Sequence, residues 1–509
     1  MIVYLISVTL LLISFHIYTR YSRFGRLINK IPGPRPLPFI GNLLQFNVSR
    51  EKAWSRVCDY FDQYYPIYKL WSVTSAAVLL RHPDDLKIIL SCKKNIDKCP
   101  AGYGTVKYTG NNGILFSDGD YWHPRRKILN PAFNTNLLQI YMHKICKRAA
   151  KFALDLRSQG NIIVENISPI FLKFALAAVC EAVMDFDVDS MSAEEEQRFR
   201  DTFIELSEIT MYRVCRPYIL DWMLPFLPIG KRLSRVHKVL DDFRTKITNE
   251  RRRYHERIGH SVFKSQVDEL EDGVVGDDIK GLRKNLAVVD LLLMAEQKGL
   301  IDNHGVLEEV LVVATAGFET TGMAISFLLV LLAENKNIQD LARAELLKEL
   351  GKNHDGITME HVKKLEYLER CVKESLRLYP TAPHYGRIIT EDIQLSKYKL
   401  PVGAEVYMSA YDLHRDPHFW PEPNKFDPDR FLPENVQNRH AFAYLPFSAG
   451  LRNCIGQKFA IMEMKLIVAH MLYNFYFEPI DSSADFKFAL DITMKLDDIR
   501  LKFIRRDSN

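Results

Sequence analysis

Three kinds of hydrophobic pattern divide this chain. The first is unbroken: residues 1–19, MIVYLISVTLLLISFHIYT, carry no formal charge. That is just long enough for the roughly 20 apolar residues that cross a bilayer core. The second is helical. Residues 287–298 and 306–333 are apolar-periodic with few Gly or Pro, and predict two helices. In 363–380, Leu365, Leu368, Val372, Leu376 and Tyr379 recur at helical spacing, while Tyr367, Cys371 and Leu378 form a second apolar line. A helix apolar on both sides is buried. The third is short and strand-like: PIYKLWS, SAAVLLR and AEVYMSA. From His414 to Cys454 the pattern lapses, with prolines at 417, 421, 423, 428, 433 and 446. No regular helix or central strand carries that density, and a long irregular stretch in a compact domain is usually functional. Helical periodicity restarts in CIGQKFAIMEMKLIVAHML, which puts Cys454 just before a helix N-terminus.

The leading apolar run reads as a transmembrane signal-anchor over 1–19 and not as a cleaved signal. No basic stretch precedes it and no small-x-small site ends it. Arg20, Arg23, Arg26 and Lys30 follow it, which places the body of the protein in the cytosol. Residues 20–38 read as a basic, proline-rich hinge, stiff and extended through Pro32, Pro34, Pro36 and Pro38. Residues 39–509 form the remaining domain, without internal repeats.

Composition narrows the class. With 47% hydrophobic and 26% charged residues the chain is globular, and a scattered net charge of +5 argues against nucleic acid. The eight cysteines contain no C-x-x-C pair, which argues against a zinc finger or a typical iron–sulfur cluster.

Four places carry candidate chemistry. In VLVVATAGFETTGMAISFLLVLLA, residues 310–333, the single charge is Glu319. A second membrane span fits this poorly, because a central charge is costly there. A core helix fits better. Its small pair, Ala316 and Gly317, would let a flat ligand approach the backbone, and its acid–alcohol pair, Glu319 and Thr320, can relay protons. Glu374 and Arg377, three apart on the buried helix, need extra hydrogen bonds to offset desolvation; Arg430 in DPDRF is a candidate second cation. Trp122 and Arg126 share a helix face if the helix continues past Pro124. They would then donate to a carboxylate, although a plain basic surface helix explains them equally well. Finally, FSAGLRNCIG holds Cys454 between Gly450 and Gly456, with Arg452 two residues before it. A buried inert thiol is the ordinary explanation. A metal-binding thiolate would give its neighbours fixed roles. Phe447 would shield the sulfur, Gly450 and Gly456 would permit turns and a close backbone approach, and Arg452 would bind an acidic cofactor edge.

Together these motifs resemble the haem-thiolate monooxygenase superfamily, cytochrome P-450. Phe447–Gly456 matches its F-x-x-G-x-R-x-C-x-G signature completely. Glu374 and Arg377 match its E-x-x-R, Pro428–Phe431 its P-E/D-R-F, AGFETT its oxygen-activation motif, and Trp122 with Arg126 its W-x-x-x-R. The order agrees, and the resemblance runs from about residue 31 to the end. The anchor and proline segment are similar to the microsomal class, and HRDPHFWPEPNKFDPDRFLPEN is most similar to the family-four clan with its insect members.

The resemblance implies a mainly α fold with small β-sheets (α+β) in a single large haem-binding domain. It implies Cys454 as the axial ligand of haem b, with Trp122, Arg126, Arg387 and Arg452 on the propionates. Phe447, Ala316, Gly450 and Gly456 would border the cofactor. Glu319 and Thr320 would deliver protons, and Glu374, Arg377 and Arg430 would be structural. It implies insertion of one O₂ oxygen into an apolar molecule: a fatty acid, a hormone, an odorant-like lipid or a xenobiotic. Segment 101–117 and the helix around Ala316 would line the pocket. Electrons would come from NADPH through NADPH–cytochrome P-450 reductase, with cytochrome b5 as a further donor, at the cytosolic face of the endoplasmic reticulum membrane. Arg125, Lys127, Lys144, Lys147 and Lys458 are candidates for docking an acidic partner. A haem-thiolate isomerase or dehydratase needs no acid–alcohol pair, and a haem carrier needs neither that pair nor an anchor. One position departs from the clan. Many relatives carry a Glu, esterified to a haem methyl, where this chain has Ala316, and Phe318 replaces their usual His. Glu319 lies about 300° and 4.5 Å further along the helix, so the haem is expected to be non-covalent.

Overall fold

A 32-residue helix, Asn303–Glu334, organises the body of the protein. Asp302 caps it by accepting from Gly305 N at 2.8 Å. By length and composition it could cross a membrane, yet 83% of its most apolar window is buried inside the protein. The apolar run around Glu319 is therefore core. The computed structural model describes residues 1–73, 75–104, 112–258, 287–351, 356–496 and 498–506.

Helix Ile167–Val183 packs closest against this central helix. Two glycines set the approach. A Cβ at Gly317 would lie 2.8 Å from Val179 Cγ2, and one at Gly322 would lie 2.9 Å from Leu172 Cα. Gly317 thus serves helix packing, and with Ala316 it also lines the cavity described below. Helix Gln457–Asn474 packs on Thr135–Ser158, and Glu366–Leu378 packs on both the central helix and Gln457–Asn474. The periodic stretch 363–380 begins one element earlier than the helix it forms: Met359–Lys363 is a separate short helix.

The strand-like pieces form one four-stranded sheet, in the order Ile67–Trp71, Ala76–Leu80, Glu405–Ser409, His384–Ile388. Its outer pairings are antiparallel and its central one parallel. Arg387 pairs with Val406 on the edge strand, and this register aims its side chain into the interior. A three-stranded sheet of Ile162–Val164, Leu501–Arg505 and Phe475–Pro479 and a two-stranded one complete an α+β architecture.

The first helix, Ile2–Tyr21, presents Tyr4, Leu10, Leu11 and Tyr18 outward. The proline run 32–38 carries no helix, but it does not follow the first helix directly. Helix Arg23–Asn29 intervenes, capped by Ser22. It docks on the sheet, because Lys69 Nζ donates to Asn29 O at 2.9 Å and Trp71 Nε1 to Asn29 Oδ1 at 3.1 Å, while Arg20 of the first helix stacks 4.0 Å above Trp71. Ile28 and Ile31 are buried as a result.

Candidate functional site

The loop carrying Cys454 is built from backbone bonds. Cys454 N donates to Phe447 O at 3.0 Å, and Asn453 N donates to Gly450 O at 3.1 Å. Gly450 has φ +73°, and a Cβ there would collide with Leu90 O, so no other residue fits. A Cβ at Gly456 would face the Cys454 sulfur at 3.9 Å. Its absence leaves the sulfur open on that side. Helix Gln457–Asn474 starts three residues after the cysteine. Burial pushes the Cys454 thiol up, opposed by the Gly456 N–H and by Arg126. A bound cation would remove its proton outright.

This sulfur opens onto a cavity of about 610 Å³. Phe447, Arg452, Gly456, Trp122, Arg126, Arg387, Ala316, Glu319 and Thr320 all line it with Cys454. Gly450 shapes the loop from behind. Glu374, Arg377 and Arg430 do not line the cavity.

One end of the cavity is cationic. Arg126 donates to Asn453 O at 2.9 Å and to Asn453 Oδ1 at 3.0 Å. Arg387 donates to Gly386 O at 2.8 Å. Arg452 stacks 4.6 Å over Trp122 and donates to Ser117 O and Asp118 Oδ1, while its buried Nε has no partner. Lys98 joins them, 4.4 Å over the Tyr103 ring. Burial lowers all four, Arg452 to about 10. Asp118 acts on Lys98, Arg387 and Arg452, Asp97 on Arg452 as well, and Glu405 also lines the cavity, so four cations face three carboxylates and positive charge remains in excess. A ligand edge that carries carboxylates fits that cationic end. Lys98 went unread in the sequence, because it lies in an irregular segment where no periodicity marks it.

Trp122 and Arg126 do share a face of helix Gly119–Leu129. Pro124 lies inside that helix and not in its first turn. Pro124 and Asp120 are both exposed, so water can satisfy the carbonyl that proline leaves unpaired. Arg125 is not a docking cation. It is 4% exposed and pairs with Glu308 at 2.8 Å and Glu309 at 2.9 Å. Burial opposes its charge, but Glu309 and Glu308 outweigh burial and hold it above its ordinary range. Lys144 is engaged with Asp185 at 2.5 Å. Lys127, Lys147 and Lys458 are exposed.

The central helix forms the opposite wall. Ala316 faces the cavity, and Thr320 Oγ1 donates to Ala316 O at 2.7 Å. Glu319 is 3% exposed, and burial pushes it up to about 7. Of segment 101–117, Gly102, Tyr103, Ile114, Leu115 and Phe116 line the cavity, while 105–111 fall outside the described residues. Toward Phe203, Leu206, Met211 and Leu490 the walls become largely apolar.

A cysteine sulfur at one face, a cationic edge and an acid–alcohol wall thus enclose one apolar cavity. The family model for cytochrome P-450 matches residues 31–503. Cytochrome P-450 4c3 of Drosophila melanogaster is 31% identical over 504 residues, covering 96% of this chain and 91% of the relative. Cytochrome P-450 4V2 of Mus musculus is 32% identical over 498 residues, covering 96% and 92%. The Homo sapiens protein of that name is 32% identical over 465 residues, covering 90% and 86%.

Proposed function

The chain belongs to the cytochrome P-450 family of haem monooxygenases and takes haem b non-covalently, and from that premise we propose that Cys454 ligates the haem iron beside an apolar substrate pocket. The observation that carries this reading is the position of the Cys454 sulfur, open to the cavity between the cationic edge and the Ala316–Thr320 wall. Bound there, haem supplies the oxygen activation, with thiolate donation favouring O–O cleavage. The protein's own groups do the rest. Arg126, Arg387, Arg452 and Lys98 hold the propionates, and Trp122 packs beneath Arg452. Phe447 covers the sulfur. Thr320 and Glu319 move protons toward the cavity. One oxygen atom enters a C–H bond of the substrate, and the other leaves as water with two protons and two electrons.

Those electrons come from NADPH through a membrane-bound reductase, with cytochrome b5 as a second donor. The exposed Lys127, Lys147 and Lys458 are the basic residues available to an acidic partner. Residues 1–19 anchor the protein in the endoplasmic reticulum membrane, 20–38 join anchor to body, and 39–509 catalyse on the cytosolic side. The substrate is an apolar small molecule of the fatty-acid, hormone, odorant-lipid or xenobiotic type, matching the apolar walls.

Thr320→Ala tests the proton path. It removes the hydroxyl bonded to Ala316 O and leaves the cavity walls in place. Haem and substrate binding should stay near wild type, while product per NADPH falls several-fold and hydrogen peroxide rises. Unchanged coupling means that protons arrive elsewhere. Ala316 makes a second prediction. Acidic denaturing chromatography should free all haem from the polypeptide, and Ala316→Glu, which places a carboxyl at the cavity face, should retain a fraction. Haem absorbance on the wild-type protein peak would refute this placement.

A further inference from the structure

Glu319 has an ionic neighbour that the proton path leaves unused. Its Oε1 lies 4.0 Å from Lys495 Nζ and accepts no hydrogen bond. Lys495 is remote in sequence, in the irregular segment between strands Phe475–Pro479 and Leu501–Arg505. That segment is pinned on both sides: Met494 N donates to Thr381 O at 2.9 Å, and Ser168 Oγ donates to Leu496 O at 2.6 Å. The ammonium also donates to Asp491 Oδ2 at 3.0 Å.

Asp491 does not depend on that bond. Arg50 Nη1 reaches it at 2.7 Å, Ile492 N at 2.7 Å, and Ser207 Oγ donates as well. Arg50 in turn donates to Glu208 at 3.0 Å, and the Glu208 side chain is 42% exposed. A polar file therefore runs from the surface through Glu208, Arg50, Asp491 and Lys495 to the buried Glu319. Its first four members carry alternating charges that cancel. Glu319 sits at the inner end, where either of its charge states leaves the file within one unit of neutrality. Burial raises Glu319 to about 7, the Lys495 charge opposes that rise, and the Asp491 charge adds to it. Without Lys495, burial and Asp491 act together, opposed only by the Thr493 hydroxyl, and favour the protonated acid. A relay acid has to alternate between its two forms.

We propose, resting on the reading of Glu319 as the relay acid, that Lys495 is its positioning residue. Its ammonium orients the Glu319 carboxylate and balances its two protonation states, while Asp491 and Arg50 hold the ammonium in place.

Lys495→Met keeps the length and packing of the side chain and removes its charge; Lys495→Arg keeps the charge. The readout is an infrared titration of the protonated-carboxyl stretch in the full-length holoenzyme, assigned by its loss in Glu319→Gln. An opposite charge within about 4–6 Å is worth roughly one to three pH units. The Glu319 midpoint should rise by about one unit or more in Lys495→Met and stay near wild type in Lys495→Arg. The pH at which product per NADPH changes should move up with it, and haem content should not change. An unmoved midpoint in Lys495→Met overturns the proposal, as does haem loss in that variant. A moved midpoint with an unmoved coupling profile also overturns it. If Glu319→Gln leaves coupling untouched as well, the error lies in the assignment of Glu319.

Discussion

Cys454→His protein should hold little haem, and whatever it holds should lack the strongly red-shifted Soret band of the reduced carbon monoxide complex. Monooxygenation should fall to background. Only a thiolate opposite carbon monoxide gives that band, so its loss reports the ligand directly. The chain has eight cysteines, and the cavity narrows the field. Cys99, Cys180 and Cys371 are fully buried and do not line it. Cys215 is the one serious competitor, since it also lines the cavity. It follows the helix Ala193–Val214, among Met211, Val214 and Pro217, away from the cationic edge. Cys215→Ala should therefore keep the band. A Cys454→His protein that keeps it, or a Cys215→Ala protein that loses it, would move the ligand to another sulfur.

What the sequence made legible is what folds locally. The residues Phe447–Gly456 are contiguous, and their backbone bonds close on each other, so the spacing of Phe, Gly, Arg and Cys already encodes the loop. Burial of Glu374 and Arg377 followed from two apolar lines on one helix, and their need for a second cation pointed to Arg430. The acceptors that complete that site were not legible, because backbone carbonyls of His414, Pro423 and Lys425 look like any others. Arg125 shows the opposite failure. Its charge suggested a surface, but Glu309 lies 184 residues away and only the fold brings them together. Lys495 was missed for the same reason, since Glu319 is remote from it in sequence. That Gly317 also packs against Val179 depends on how the helix is rotated, which neighbouring elements decide.

Glu374→Ala should be the most disruptive change outside the cavity. Both side chains of the pair are fully buried, and Glu374 accepts from Arg377 at 2.7 and 2.8 Å and from Asp427 N at 2.9 Å, with Arg430 at 3.3 Å. Burial raises the Glu374 carboxyl, and Arg377 opposes that rise. Truncation to alanine strands the Arg377 charge with only carbonyl partners, and breaking a buried pair costs roughly 3–5 kcal/mol. That is a large part of the 5–15 kcal/mol, roughly, that holds a typical domain together. The damage should reach the haem loop by a traceable route. Arg377 holds the carbonyls of His414, Pro423 and Lys425. His414 Nε2 accepts from Leu445 N at 2.8 Å, two residues before Phe447. Tyr444 OH donates to Lys373 O at 2.8 Å on the same helix as the pair. Freeing Arg377 therefore loosens the segment that ends at Cys454, and most purified Glu374→Ala protein should lack haem and unfold at lower temperature. Glu374→Gln keeps hydrogen-bond acceptance without the charge and should fall in between. The measurement is haem per polypeptide alongside the unfolding midpoint. A haem-replete Glu374→Ala protein with an unmoved midpoint would reduce the pair to an exposed one, about 1 kcal/mol or less, and would detach the stability of the thiolate loop from Arg377.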